Sequence, residues 1–138
     1  MVTEVSDVTR VNGSGGGTFP AQLRPVREVT PAVEAAGAVD EARIFAEFAK
    51  RVGPDAAQIG ETSPSGETNG QFTVDGAGAM VAFESVRRVE ASFTYRCGAE
   101  ATSGVARSWE QSRTGIMQCD AKKPRTEDVV LEVKALAC

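Results

Sequence analysis

The chain has 138 residues, 41% hydrophobic and 25% charged, with a formal net charge of −4. That is the composition of one ordinary domain and excludes a collagen-like, coiled-coil or wholly disordered chain. The acidic balance argues against nucleic acid as partner, the lack of histidine removes His-dependent nucleophiles, bases and zinc sites, and no apolar run is long enough for a spanning helix.

Residues 1–30 read as an extended arm. Gly13-Ser14-Gly15-Gly16-Gly17 is flexible chain, and Pro20 and Pro25 follow. Val2, Val5, Val8 and Val11 recur every three residues, as do Leu23, Val26 and Val29, a period that suits neither strand nor helix. Only Phe19 of the aromatics falls here, and five of the eight lie after residue 70, so the core is expected in the C-terminal half.

Residues 31–52 read as a helix. Thr30 is a good N-cap, Pro31 suits the first helical position, and Asp40 offers a restart after Gly37. Phe45, Phe48 and Val52 recur at helical spacing, Lys50 and Arg51 complement the terminal dipole, and Gly53-Pro54 stops the helix. Residues 53–70 read as a loop with turn chemistry at Ser63-Pro64-Ser65-Gly66 and Asn69-Gly70.

From residue 71 the period becomes two. Short strands are expected at 71–74, from Met80 to Phe83, at 89–97, 105–111 and 116–119, and over Val129–Ala137, with turns at Gly98, Ser103-Gly104, Thr114-Gly115 and Pro124. Residues 71–138 therefore form an antiparallel β domain. The fold class is α+β, mostly antiparallel: a disulfide-closed sandwich-like or meander sheet, one packed helix and an extended N-terminal arm.

Three cysteines allow one intramolecular bond in three ways. If strands 89–97, 105–111 and 116–119 alternate in direction, Cys119 ends level with Cys97, and Cys97–Cys119 is the expected disulfide. A final strand of about nine residues then carries Cys138 roughly 30 Å away, leaving it unpaired or available for an intermolecular bond. If 105–119 is one unbroken strand, Cys97–Cys138 becomes possible instead. A disulfide places the protein outside the cytosol, and three reduced cysteines would place it inside. Met1-Val2-Thr3-Glu4 starts no signal peptide, so export requires a signal already removed. Asn12-Gly13-Ser14 fits a glycosylation sequon.

The stretch Phe93-Thr94-Tyr95-Arg96-Cys97-Gly98, then Ser103-Gly104-Val105, then Gly115-Ile116-Met117-Gln118-Cys119-Asp120, resembles small exported actinobacterial proteins and lipoproteins over about residues 89–137. The resemblance implies an all-β module closed by one disulfide and brings no activity. The chain departs from that pattern in having no lipobox cysteine near its start.

No residue set amounts to a catalytic constellation. Gly13–Gly17 and Asp75-Gly76-Ala77-Gly78 lack the Lys-Ser/Thr of a phosphate loop. Glu84, Glu90 and Glu110 lie on expected strands, where a solvated face is the plain reading; two facing acids among them would be needed for a small carboxylate hydrolase. Asp120, Glu127 and Asp128 are oxygen donors for calcium, but Lys122, Lys123 and Arg125 intervene. Trp109 beside Arg107 and Arg113 could form a stacking face for a ligand. The expected function is a non-enzymatic exported protein-binding or adaptor module with no cofactor. Its arm, through Val5, Val8, Val11, Phe19, Leu23 and Val26, would add a strand to a partner or lie in its groove. The alternatives are the hydrolase and a cytosolic acidic inhibitor or immunity-type protein.

Overall fold

A computed structural model describes residues 1–53, 55–57, 61, 68–123 and 125–138. The expected turns at Ser63-Pro64-Ser65-Gly66 and Pro124 lie outside the described residues. The fold is α+β with mostly antiparallel strands: β1 (Val2–Val5), β2 (Thr9–Val11), β3 (Gly17–Pro25), β4 (Ala32–Ala35), α1 (Glu41–Val52), β5 (Thr68–Val74), β6 (Gly78–Cys97), β7 (Glu100–Gln118) and α2 (Asp128–Ala137). The strands join in one sheet in the order β4-β7-β6-β1-β3-β5, with β2 also on β6. The chain divides into two compact units: Met1–Glu28, Pro64–Val86 and Ser112–Cys138 form one; Val29–Ser63 and Arg87–Gln111 form the other.

In the first unit the N-terminal segment is sheet, not arm. β1 pairs antiparallel with both β3 and β6, and β3 pairs with β5 from Gly17↔Val74 to Leu23↔Thr68. Val5, Val11, Phe19 and Leu23 are buried, and of the six arm residues only Val8 and Val26 are exposed. The alternation Phe19, Ala21, Leu23 was masked by Pro20 and Pro25. Pro20 falls where β3 pairs with β5 alone, so its missing N–H can face away from the ladder. The glycine run is the turn between β2 and β3. Gly16 has φ 83°, and a Cβ there would run into the Val74 carbonyl. Asn69 and Gly70, expected in a turn, pair within β5 with Gln22 and Ala21.

Both faces of this unit's sheet are apolar. Val81 and Phe83 join Val2, Val5 and Met117 under Val130 and Val133 of α2. Met80 and Ala82 join Val11, Phe19, Ala21 and Leu23 on the opposite face. A strand buried on both faces reads as a continuous apolar run, which is why residues 79–83 show no alternation.

The C-terminal segment is a helix, not a strand. Leu, Glu, Lys and Ala are good helix formers, and Val130 and Val133 fall on one helical face. The alternation of 129–137 fits a strand equally well; the apolar face over β1 and β6 decides for the helix. This segment also overturns the expected disulfide. β7 is unbroken through residue 118, and α2 returns the chain so that Cys138 bonds Cys119. Cys97 is exposed and free, and Cys138 is not available for an intermolecular bond.

In the second unit only the latter part of the expected helix is helical. Residues 32–35 are β4, paired antiparallel with residues 104–107 of β7. Val33 supports a strand and packs in the core, and β7 offers it a ladder. α1 starts at the expected restart: Asp40 accepts from the Arg43 N–H at 3.2 Å, and Gly53 closes the far end on the Ala49 carbonyl at 3.0 Å. Ile44, Phe45 and Phe48 pack on Val89, Ala91, Phe93 and Ala106.

Candidate functional site: a groove beside α1

Within the second unit, α1 and the paired ends of β6 and β7 border a groove of about 990 Å³. Its apolar lining comes from Ile44 and Phe48 on the helix and from Phe93, Tyr95 and Val105 on the strands. Phe93 and Tyr95 alternate on one face of β6, and both are half-buried. Gly104 lets the Phe93 ring lie close to the β7 backbone: a Cβ at 104 would stand 2.6 Å from Phe93 Cζ.

The charged lining residues are Arg43, Glu47, Arg51 and Arg96. Arg43, Glu47 and Arg51 recur every four residues along one side of α1. The Arg43 guanidinium lies 5.9 Å from the centre of the Tyr95 ring, a cation–π contact. Glu47 accepts from Lys50 Nζ at 2.9 Å. That hydrogen bond and the charge of Lys50 hold its carboxyl below the usual carboxylate value, with Arg43 and Arg51 adding to the effect. The groove has an apolar floor and a rim that is positive on balance. Such a surface can bind by burial and charge.

The residues expected to carry function stand elsewhere. Arg107 holds both Glu34 and Glu90 at 2.8 Å. Its guanidinium is thus already committed to two carboxylates. Trp109 is half-buried; its indole Nε1 is enclosed without a hydrogen-bond partner among the described residues, and its carbonyl accepts from the Ala57 N–H at 2.9 Å. Arg113 is exposed, and between it and Trp109 lies Gln111, whose φ of 52° is in the left-handed region.

The acidic candidates each have partners of their own. Glu84 accepts from Ser112 and from Thr114 Oγ1, the latter at 2.8 Å. Glu110 is buried and ion-paired with Arg87, although one carboxylate oxygen makes no well-formed hydrogen bond among the described residues. Asp120 accepts from the Ala79 N–H and from Gln118, each at 3.0 Å, and Glu127 is forked with Arg125. Among the described residues no three His, Cys, Asp or Glu side chains come together as a metal site. The two glycine-rich candidates connect strand to strand.

The groove itself escaped the sequence reading. Its signal was present in part: Arg43, Glu47 and Arg51 at helical spacing beside the Phe45–Phe48 face, and Phe93 and Tyr95 on one strand face. The pairing of that helix with that strand face depends on tertiary contact. No family model matches the chain, nor does any curated protein or solved structure.

Proposed function

We propose that the protein is a non-enzymatic exported binding module, and that its partner, another protein, seats in the groove beside α1. The observation that carries this reading is the groove itself: an open, apolar-floored surface with a cationic rim, inside one compact unit. Export is supported by the Cys119–Cys138 disulfide. No helix among the described residues is long and apolar enough to cross a membrane. The N-terminal segment does not supply the contact surface, because its apolar residues are mostly buried inside the sheet.

Site-specific photocrosslinking tests this reading. A benzophenone side chain is placed at Thr94, which lines the groove, or at Asp75, an exposed position in the other unit. The full chain is expressed in its producing cells. A discrete adduct from Thr94 and not from Asp75, reproduced with the purified partner, is expected. Equal labelling from both positions, or none from Thr94, overturns the proposal.

A further inference from the structure

Arginine pairing divides this molecule in an informative way. Among the described residues at least seven of the eleven arginines hold a carboxylate of the chain itself. Arg43, Arg51 and Arg96 hold none among the described residues, and all three line the groove. The one acidic group in that lining, Glu47, is taken by Lys50. In a chain of net charge −4, this is a local reversal of sign. Guanidinium groups match carboxylates in planar, two-bond geometry, and near an apolar wall such contacts are less screened than in bulk water.

We propose that the groove selects an acidic segment of the partner protein, one whose apolar side chains rest on Phe48, Phe93 and Tyr95 while its carboxylates meet Arg43, Arg51 and Arg96. This rests on the groove being the binding face. Arg43 is already ordered by Tyr95, so fixing it on an incoming carboxylate costs less side-chain entropy than fixing a free arginine. Arg43 and Arg51 are eight residues apart on α1, about 12 Å along the helix. A segment of about eight residues in helical form, or about four in extended form, covers that distance.

The test uses the full disulfide-bonded chain and three fluorescein-labelled peptides of about eight residues. They share a Leu/Phe centre and carry Glu, Gln or Lys at the flanks. Fluorescence anisotropy is expected to rank them Glu, Gln, Lys, with the Glu peptide bound at least tenfold more tightly than the Gln peptide and weakened by added salt. The double variant Arg51→Glu, Arg96→Glu changes two exposed side chains. It is expected to keep its circular dichroism spectrum and lose the preference for Glu. Equal affinity for all three peptides, with amide shifts still mapping to the groove, overturns the charge selection and leaves the groove reading intact. No binding of any peptide, with no shifts in the groove, overturns both. Laurate filling the groove where no peptide binds assigns it to a small anionic amphiphile and overturns the protein occupant.

Discussion

At Gly104 a single hydrogen atom permits two close approaches. A Cβ there would run into the Glu34 carbonyl of β4 and stand 2.6 Å from Phe93 Cζ. Neither can yield cheaply, since one is backbone in a ladder and the other is packed in the α1 core. Gly104→Ala is expected to destabilise by about 1–3 kcal/mol, the range for overpacking. A urea midpoint giving a loss within about 0.5 kcal/mol would show that β4 does not hold this register. Asp120 supplies a charge-dependent contrast. The Ala79 N–H, then Gln118, and the charge of Arg10 hold its carboxyl below its ordinary value. A carboxyl depressed in the folded state contributes stability above its unfolded value, about pH 3.9, and that contribution disappears as pH falls through the folded value. Asp120→Asn preserves the acceptor and removes the charge. The variant is expected to be less stable than the parent at pH 7, and the gap is expected to close as the pH falls below about 4. Thermal melts across that range check it; a constant gap would assign the effect to packing.

Among the elements, β1 departs most from its sequence appearance. Four residues lie between β3 and β6 and supply Val2 and Val5 to the core beneath α2. The backbone beyond the strand is tied as well: the N–H groups of Val26 and Arg27 both donate to the Thr3 carbonyl, and the Val86 N–H donates to Met1. Deleting residues 1–28 removes β1, β2 and β3 together and uncovers β5, β6 and α2. The truncated chain is expected to lose cooperative unfolding and the near-ultraviolet circular dichroism of a packed core. A truncated chain that melts within a few degrees of the full one would restore the arm reading. Glycine-rich composition proved a poor guide because a short turn between strands and a loose tether share the same residues. Only the φ of 83° at Gly16 and the carbonyl beside it distinguish the two.

Across the whole molecule the disulfide connects the ends of the last two elements. Cys119 follows β7 and Cys138 ends α2, 19 residues apart in sequence. A loop of that length corresponds to about 3 kcal/mol in the chain-entropy model, so reduction is expected to lower stability by about that amount. Peptide mapping is expected to recover Cys119 joined to Cys138, and thiol labelling of the native protein to modify Cys97 alone. Three reactive thiols in the native protein would remove the disulfide and with it the main support for an oxidising compartment.

The class of the fold and several of its parts are legible in the sequence alone. Strand periodicity after residue 71 pointed to an antiparallel β protein, and Phe45, Phe48 and Gly53 marked the body and end of α1, while its start was read at Pro31 and lies after Asp40. These are local properties: side-chain period, caps and breakers act over a few residues. Tertiary structure decided the rest, because the deciding partners are distant in sequence. Residues 129–137 satisfy a strand and a helix equally until an apolar face over Val2, Val81 and Phe83 selects the helix. That choice also decides which cysteine meets Cys119. Phe93 and Tyr95 were legible as a strand face and Arg43 and Arg51 as a helix stripe, yet the groove exists only where the two are packed together. That its arginines hold no carboxylate among the described residues depends on where the acidic side chains of the fold come to rest.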